Sequence, residues 1–309
     1  MRHALRRLGA APRRGQGTAA DSHLRKIIVL IALGALAAAM AGPAPTRAGS
    51  APPPGPGPGA ARVSASVLDA IARSGRAEVV VTLRDGVAPS APDSVMAPGA
   101  ARAQAAVLAS LAPGDFDLVS RPTLLPIVAG TVTGRGLETL ASHPLVAAVE
   151  GDELYWPLLA PRLAEAVPSV RADVVLARYG ISGDGVTVAV LDTGIDNNHP
   201  DFEGKILAQH CYASSTRSCA PSGTGESDNA QDEYGHGTAV SGIILSPGRV
   251  SSPGVAPGAD LVAVRVFRDT GTAATRDSIS GLDFVMRHQG QYKIRIVNMS
   301  LGGGAGRGV

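Results

Sequence analysis

Asp192 closes the buried-strand pattern of Val-Ala-Val-Leu-Asp-Thr-Gly-Ile-Asp (188–196), and 44 positions later His236 stands in Gly-His-Gly-Thr-Ala-Val-Ser-Gly-Ile-Ile (235–244). A carboxylate at the end of an apolar strand is costly unless something stabilises its charge. An imidazole N–H does so, and fixes which ring nitrogen keeps the proton. The other nitrogen is then free to act as a base. A helix start disfavours an imidazolium while a neighbouring carboxylate favours it, a balance suited to general-base work near neutral pH. Gly235 and Gly237 are expected to leave room for a substrate backbone. A lone histidine at a helix start is more often a cap, and an aspartate after a strand is often a turn residue; the pair is what points to chemistry. Asp192-Thr193-Gly194 by itself also fits an aspartic protease, whose two carboxylates share a proton, but that reading leaves Gly-His-Gly-Thr unexplained. Orienting acid and general base come in that order, and no serine nucleophile motif follows before Val309.

The elements that must position this pair read as an α/β domain from 167 to 309. Val186 to Leu191, Leu261 to Phe267 and Ile294 to Met299 are apolar strand runs; Ala172 to Tyr179, His236 to Leu245 and Ser278 to Gln289 are helical. Strands apolar on both faces and alternating with helices predict a doubly wound parallel sheet with right-handed crossovers. In such sheets chemistry gathers beyond the carboxyl ends of the strands, where Asp192 and Asn298 to Gly302 both fall. Residues 62–160 predict a separate small α+β unit. It has strands at Glu78 to Leu83, Phe116 to Leu124 and Val146 to Glu150, with helices Ala100 to Leu111 and Gly136 to Ser142 on one face of an antiparallel sheet.

Residues 1–41 carry seven basic residues and one acidic residue around the apolar run Ile27 to Met40, ending in Ala39-Met40-Ala41. That is the layout of a secretory signal, with an uncleaved membrane anchor as the alternative; the run is short for a membrane span. Residues 42–61, nearly all Pro, Gly, Ala and Ser, predict a disordered linker. Without residues 1–41 the formal charge changes from +2 to about −4, which gives no footprint for nucleic acid. Cys211 and Cys219, eight apart in a polar loop of an exported chain, are expected to form one disulfide rather than a metal site.

The three runs Val188 to Asp196 with His199-Pro200-Asp201, Gly235 to Thr238, and Val297-Asn298-Met299-Ser300-Leu301-Gly302 together resemble the subtilisin family of serine proteases. Over 167–309 the resemblance implies peptide-bond hydrolysis by an Asp-His-Ser triad, an order that matches a known case. It implies that Asp192 orients His236, and that Ser300, Leu301 and Gly302 pair with a polypeptide substrate as an added strand. Residues 62–160 resemble the inhibitory propeptide of secreted relatives, an intramolecular partner. The family's Gly-Thr-Ser motif and its later oxyanion asparagine do not occur in the 309 residues. Ser241 and Ser246 lack the expected oxyanion donors, so this chain alone is expected to be inactive. The alternatives are an inactive peptide-binding pseudoprotease and a truncated gene product. Asp201 matches a calcium ligand of some subtilisins, but the loop 246–257 lacks the usual carbonyl-presenting sequence, so no metal or cofactor is expected. Ala239 stands where many relatives carry a second histidine. The expected protein is a secreted or periplasmic monomer without a stable membrane span after signal cleavage, and Ile294 to Met299 is expected to expose an unpaired strand edge.

Overall fold

The computed structural model describes residues 28–30, 61–157, 167–214, 219 and 225–303. The expected signal segment apart from 28–30, the linker apart from Ala61, and the segment 158–166 that joins the two units lie outside the described residues. A three-residue strand, β1 (Ile28–Leu30), precedes the N-terminal unit. That unit comprises β2 (Arg62–Val63), α1 (Ala65–Ser74), β3 (Arg76–Leu83), α2 (Asp93–Ala109), β4 (Phe116–Ser120), β5 (Ile127–Thr133), α3 (Gly134–Ser142), β6 (Val146–Gly151) and the tail strand β7 (Leu154–Pro157). Its five-stranded sheet has the order β2-β6-β3-β5-β4. Every pairing is antiparallel except β2 with β6. Val67, Val79, Val81, Val107, Val128, Leu140 and Val149 form its core.

Three expectations for this unit need correction. A third helix, α1, contributes Val67 to the core. The strand expected from Phe116 to Leu124 ends at Ser120, and the unassigned residues Ile127–Thr133 form the inner strand β5. Helix α2 starts seven residues earlier than the helical pattern suggested, running through Pro98 and Gly99. Gly99 tolerates no side chain there, since a Cβ would lie 2.5 Å from Val87 Cγ2.

The second unit follows as α4 (Ala172–Tyr179), β8 (Thr187–Asp192), a 3-10 turn Pro200–Phe202, β9 (Ile206–Tyr212), β10 (Glu226–Ser227), α5 (His236–Leu245), β11 (Asp260–Arg265), β12 (Ala273–Ala274), α6 (Thr275–Tyr292), β13 (Ile294–Asn298) and β14 (Leu301–Gly302). The main sheet has the order β1-β13-β8-β11-β9-β10, parallel throughout except at β10. All six residues of β8 are buried. Ala189 and Leu191 pack with Phe284 and Val285 of α6, whereas Val188 and Val190 pack with Val240 and Leu245 of α5. Because side chains alternate along a strand, helices cover both faces, as the run of apolar residues predicted. The outer edge of β13, expected to be bare, is paired in parallel with β1. Among the described residues no helix is long and apolar enough to cross a membrane.

Candidate active site

The alternation that sends Val188 and Val190 toward α5 places Asp192 on that same face, and α5 begins at His236. His236 Nδ1 lies 2.7 Å from Asp192 Oδ1, a short hydrogen bond between side chains almost closed to solvent. The same Oδ1 accepts the backbone N–H of Thr193 at 2.7 Å. Oδ2 is buried and has no hydrogen-bond partner among the described residues. Burial raises the Asp192 carboxyl above the usual carboxylate range, and the imidazole acts in the opposite sense.

The two flanking glycines have different surroundings, and only Gly237 departs from the expected open space. Gly235 caps α5 with φ +93° and has open space around it. Gly237 faces inward: a Cβ there would lie 2.3 Å from Gly194 O and 3.1 Å from Asp192 Cβ. Its missing side chain lets the helix start touch the Asp192 turn, so the space on that side is taken by Gly194 and Asp192. A second Asp-Thr-Gly, Asp269 to Gly271, also occurs in the sequence. Asp269 binds Arg265 at 2.6 Å while Asp192 binds His236, so the two carboxylates do not form a proton-sharing pair.

Ser300, Leu301 and Gly302 stand at the exit of β13. Leu301 pairs with Pro157 and Gly302 with Trp156, antiparallel, so the tail strand of the N-terminal unit lies along them. The other edge of β7 pairs with Ala273 and Ala274 of β12. Thus β7 is the middle strand of three, inserted between two short edges of the second unit. Tyr155 projects toward Gly303, where a Cβ would come within 2.8 Å of its ring. Sequence patterns missed β7, because Leu-Tyr-Trp-Pro is too short to alternate and lies beyond the unit's own sheet.

The N-terminal unit also docks on α6. Asp283, buried, accepts the backbone N–H groups of Thr123 (3.1 Å) and Leu124 (2.6 Å). Arg276 is ion-paired with Asp152 and with Glu78 at 3.1 Å. A cavity of about 400 Å³ lies at this seam, lined by Ser120, Arg121, Tyr212, Arg276, Asp283 and Arg287, away from the Asp192–His236 pair.

Cys211 and Cys219 are bonded, with their Cα atoms 5.7 Å apart. Asp201 does not fit a calcium site. Its carboxylate is completely buried and accepts N–H groups from Arg249 (2.8 Å), Val250 (3.0 Å) and Ser251 (3.1 Å), with the Ser246 hydroxyl at 3.0 Å and the Ser251 hydroxyl closer still. Those amide donors repel a cation, and both oxygens are already committed. Ser246, bound to Asp201, is likewise tied up in this clamp. A third carboxylate near the pair, Asp232, escaped the sequence patterns. An Asp four residues before the histidine, ahead of Gly-His-Gly, is the signal that could have found it.

A family model described as the subtilase family matches residues 183–308. Subtilisin E of Bacillus subtilis is 33% identical over 182 residues, covering 58% of this chain and 42% of that protein. The subtilase-type proteinase psp3 of Schizosaccharomyces pombe is 34% identical over 178 residues, covering 54% of this chain and 36% of that protein. Among solved structures, fervidolysin from Fervidobacterium pennivorans, a keratinolytic enzyme related to subtilisin, matches at 18% identity with a TM-score of 0.46. That match covers 73% of this chain and 36% of that one. The chain spans about two fifths of the length of the curated relatives it matches.

Proposed function

This chain is subtilase-like, and from that premise we propose that residues 167–309 supply the acid and base of a serine endopeptidase, with residues 62–157 as its intramolecular inhibitor. The observation that carries the reading is the 2.7 Å bond between Asp192 and His236. Asp192 holds the proton on Nδ1, which leaves Nε2 to take the proton of a serine hydroxyl and later return it to the leaving amine. The buried carboxylate stabilises the imidazolium formed in between. Burial strengthens that interaction because little water competes.

The placement of β7 supports the inhibitor role. A polypeptide laid between β12 and β14 forms backbone hydrogen bonds on both edges, as a substrate strand bound to Ser300, Leu301 and Gly302 would. The basic, then apolar, then small-residue order of residues 1–41 supports export to the outside of the cell or the periplasm. Removing that segment would also remove β1 and open the outer edge of β13.

The 309 residues contain no Gly-Thr-Ser, so the chain by itself is inactive in this reading. The test joins the chain after Gly302 to the matching remainder of subtilisin E. The expected result is a folded chimera labelled by a serine-directed fluorophosphonate, with labelling lost on His236→Ala. A folded chimera whose labelling is indifferent to His236, or which takes no label, overturns the assignment. Stoichiometric labelling of the unextended chain overturns its inactivity. The cleft filled by β7 also fits a second reading, a peptide-binding pseudoprotease. In that case the chain without β7 binds peptides, while the folded chimera stays unlabelled.

A further inference from the structure

We propose that Asp232 is the positioning residue of the Asp192–His236 pair, fastening both of their loops to one carboxylate. The proposal rests on the reading of His236 as a general base. Oδ1 of Asp232 accepts the Thr193 hydroxyl (3.0 Å) and the backbone N–H groups of Tyr234 (2.9 Å) and Gly235 (2.7 Å). Oδ2 accepts both the N–H (2.9 Å) and the hydroxyl (2.6 Å) of Thr238. Thr193 directly follows the acid, Gly235 directly precedes the base, and Thr238 lies two residues beyond it. One side chain therefore grips the chain on both sides of His236 and on the far side of Asp192.

The two threonines carry the grip further. Thr193 Oγ1, which donates to Asp232, also accepts the N–H of Gly237 at 2.8 Å. Thr238 Oγ1 likewise accepts the N–H of Asp196 at 2.9 Å. Around them the backbones are tied directly, from Ile195 N–H to Ala230 O (2.8 Å) and from Asp232 N–H to Ile195 O (2.9 Å). Gly194, at φ +116°, sits so close that a Cβ would lie 2.2 Å from Ala230 O. Neither loop can slide without breaking several of these bonds at once.

Nearly buried, Asp232 would tend to stay protonated. The hydrogen bonds from Thr238, Gly235 and Tyr234 outweigh that tendency and hold its carboxyl below the usual range. As an anion it has no proton to compete with its donors, and all of its partners are N–H or O–H groups. It does not touch the imidazole, so its action on the base passes through the backbone. A misplacement of about 1 Å is costly where proton transfer depends on alignment, which gives such a fastening a chemical consequence.

The test reads the Nδ1 proton of His236 by NMR in the 309-residue chain, as a slowly exchanging low-field imidazole resonance. Asp232→Asn and Thr193→Val are compared with the control Asp192→Asn. The expected result is that the control abolishes the resonance. Each of the other two speeds its exchange about tenfold, the order expected when one net hydrogen bond is lost, while the amide spectrum of residues 62–157 is unchanged. Should Asp232→Asn fail to fold, Thr193→Val decides, since it leaves the carboxylate and its four other bonds in place. Unchanged exchange in the folded variants, with the resonance lost in Asp192→Asn, overturns the positioning role and leaves the acid–base pair standing. Absence of the resonance from the unsubstituted chain removes the pair, and the proposal with it.

Discussion

Asp192 and Asp201 are both completely buried, nine residues apart in one stretch of chain, yet their carboxylates are treated in opposite ways. Five donors from the loop 246–251 converge on Asp201 and leave neither oxygen free. Asp192 has two donors on one oxygen and none on the other among the described residues. Burial pushes both carboxyls up, but at Asp201 the hydroxyls of Ser251 and Ser246 and the loop amides win, and its carboxyl lies well below the usual range. At Asp192 burial wins. A carboxylate saturated by the fold is a structural anchor. One kept short of partners remains responsive to the charge of its neighbour, as the proposed pairing of Asp192 with His236 requires.

The sharpest way to break this contrast is Asp201→Ala, which leaves three loop amides and two hydroxyls without their acceptor. A loss of roughly 3 kcal/mol or more is expected in urea denaturation. A loss below about 1 kcal/mol, the worth of a single ordinary hydrogen bond, would erase the distinction. The pH dependence has a definite sign. The folded carboxyl of Asp201 holds its proton less tightly than the unfolded one, so the stabilisation is complete above the ordinary carboxylate range and is lost as pH falls below it. That acid limb should be shallower in Asp201→Asn.

Asp283→Ala extends the comparison to a third buried carboxylate, one that bridges the two units. Leaving the amides of Thr123 and Leu124 unpaired should cost about 1–3 kcal/mol, measured as faster trypsin cleavage between the units. Unchanged cleavage would show that β7 and the Arg276 ion pairs suffice to hold them together. Asp192→Asn should change stability by no more than about 1 kcal/mol, because removing a poorly compensated buried charge offsets the lost bond to His236. A loss as large as that of Asp201→Ala would place both aspartates in one class. The smallest effect expected is that of calcium. Replacing millimolar calcium with a chelator should shift Tm by less than about 1 °C, since a cation stabilises only a state that binds it. A larger shift would show that the clamp on Asp201 opens to admit the ion.

Several elements were legible because local pattern and tertiary role agree. Helices Ala172–Tyr179 and His236–Leu245 have the bounds that their residues predict. Strand β8 reads as buried because Val188 to Leu191 are all apolar, and helices cover both of its faces. Strand β9 was missed because Gln209 and His210 break its apolar run. His210 is acceptable there only because Asp228 and Glu226 bind its ring nitrogens and Phe284 stacks on its face. Strand β5 carries Gly130, an unpromising strand residue, at a place where a Cβ would lie 2.2 Å from Asp117 O of the neighbouring strand. In both strands the compensation comes from residues that no short window contains.

The sequence by itself placed Asp192 at a strand end and His236 at a helix start, because a carboxylate at the end of an apolar strand and a histidine opening a helix are local patterns. It also determined that a parallel sheet would bring them near one another. Only the tertiary structure decided which buried aspartate is saturated and which is left responsive, and that the tail of the N-terminal unit runs between β12 and β14. The physical reason is that hydrogen-bond satisfaction depends on donors brought from far along the chain. For Asp201 those donors lie 45 to 50 residues away, and chain order alone does not reveal how many will arrive.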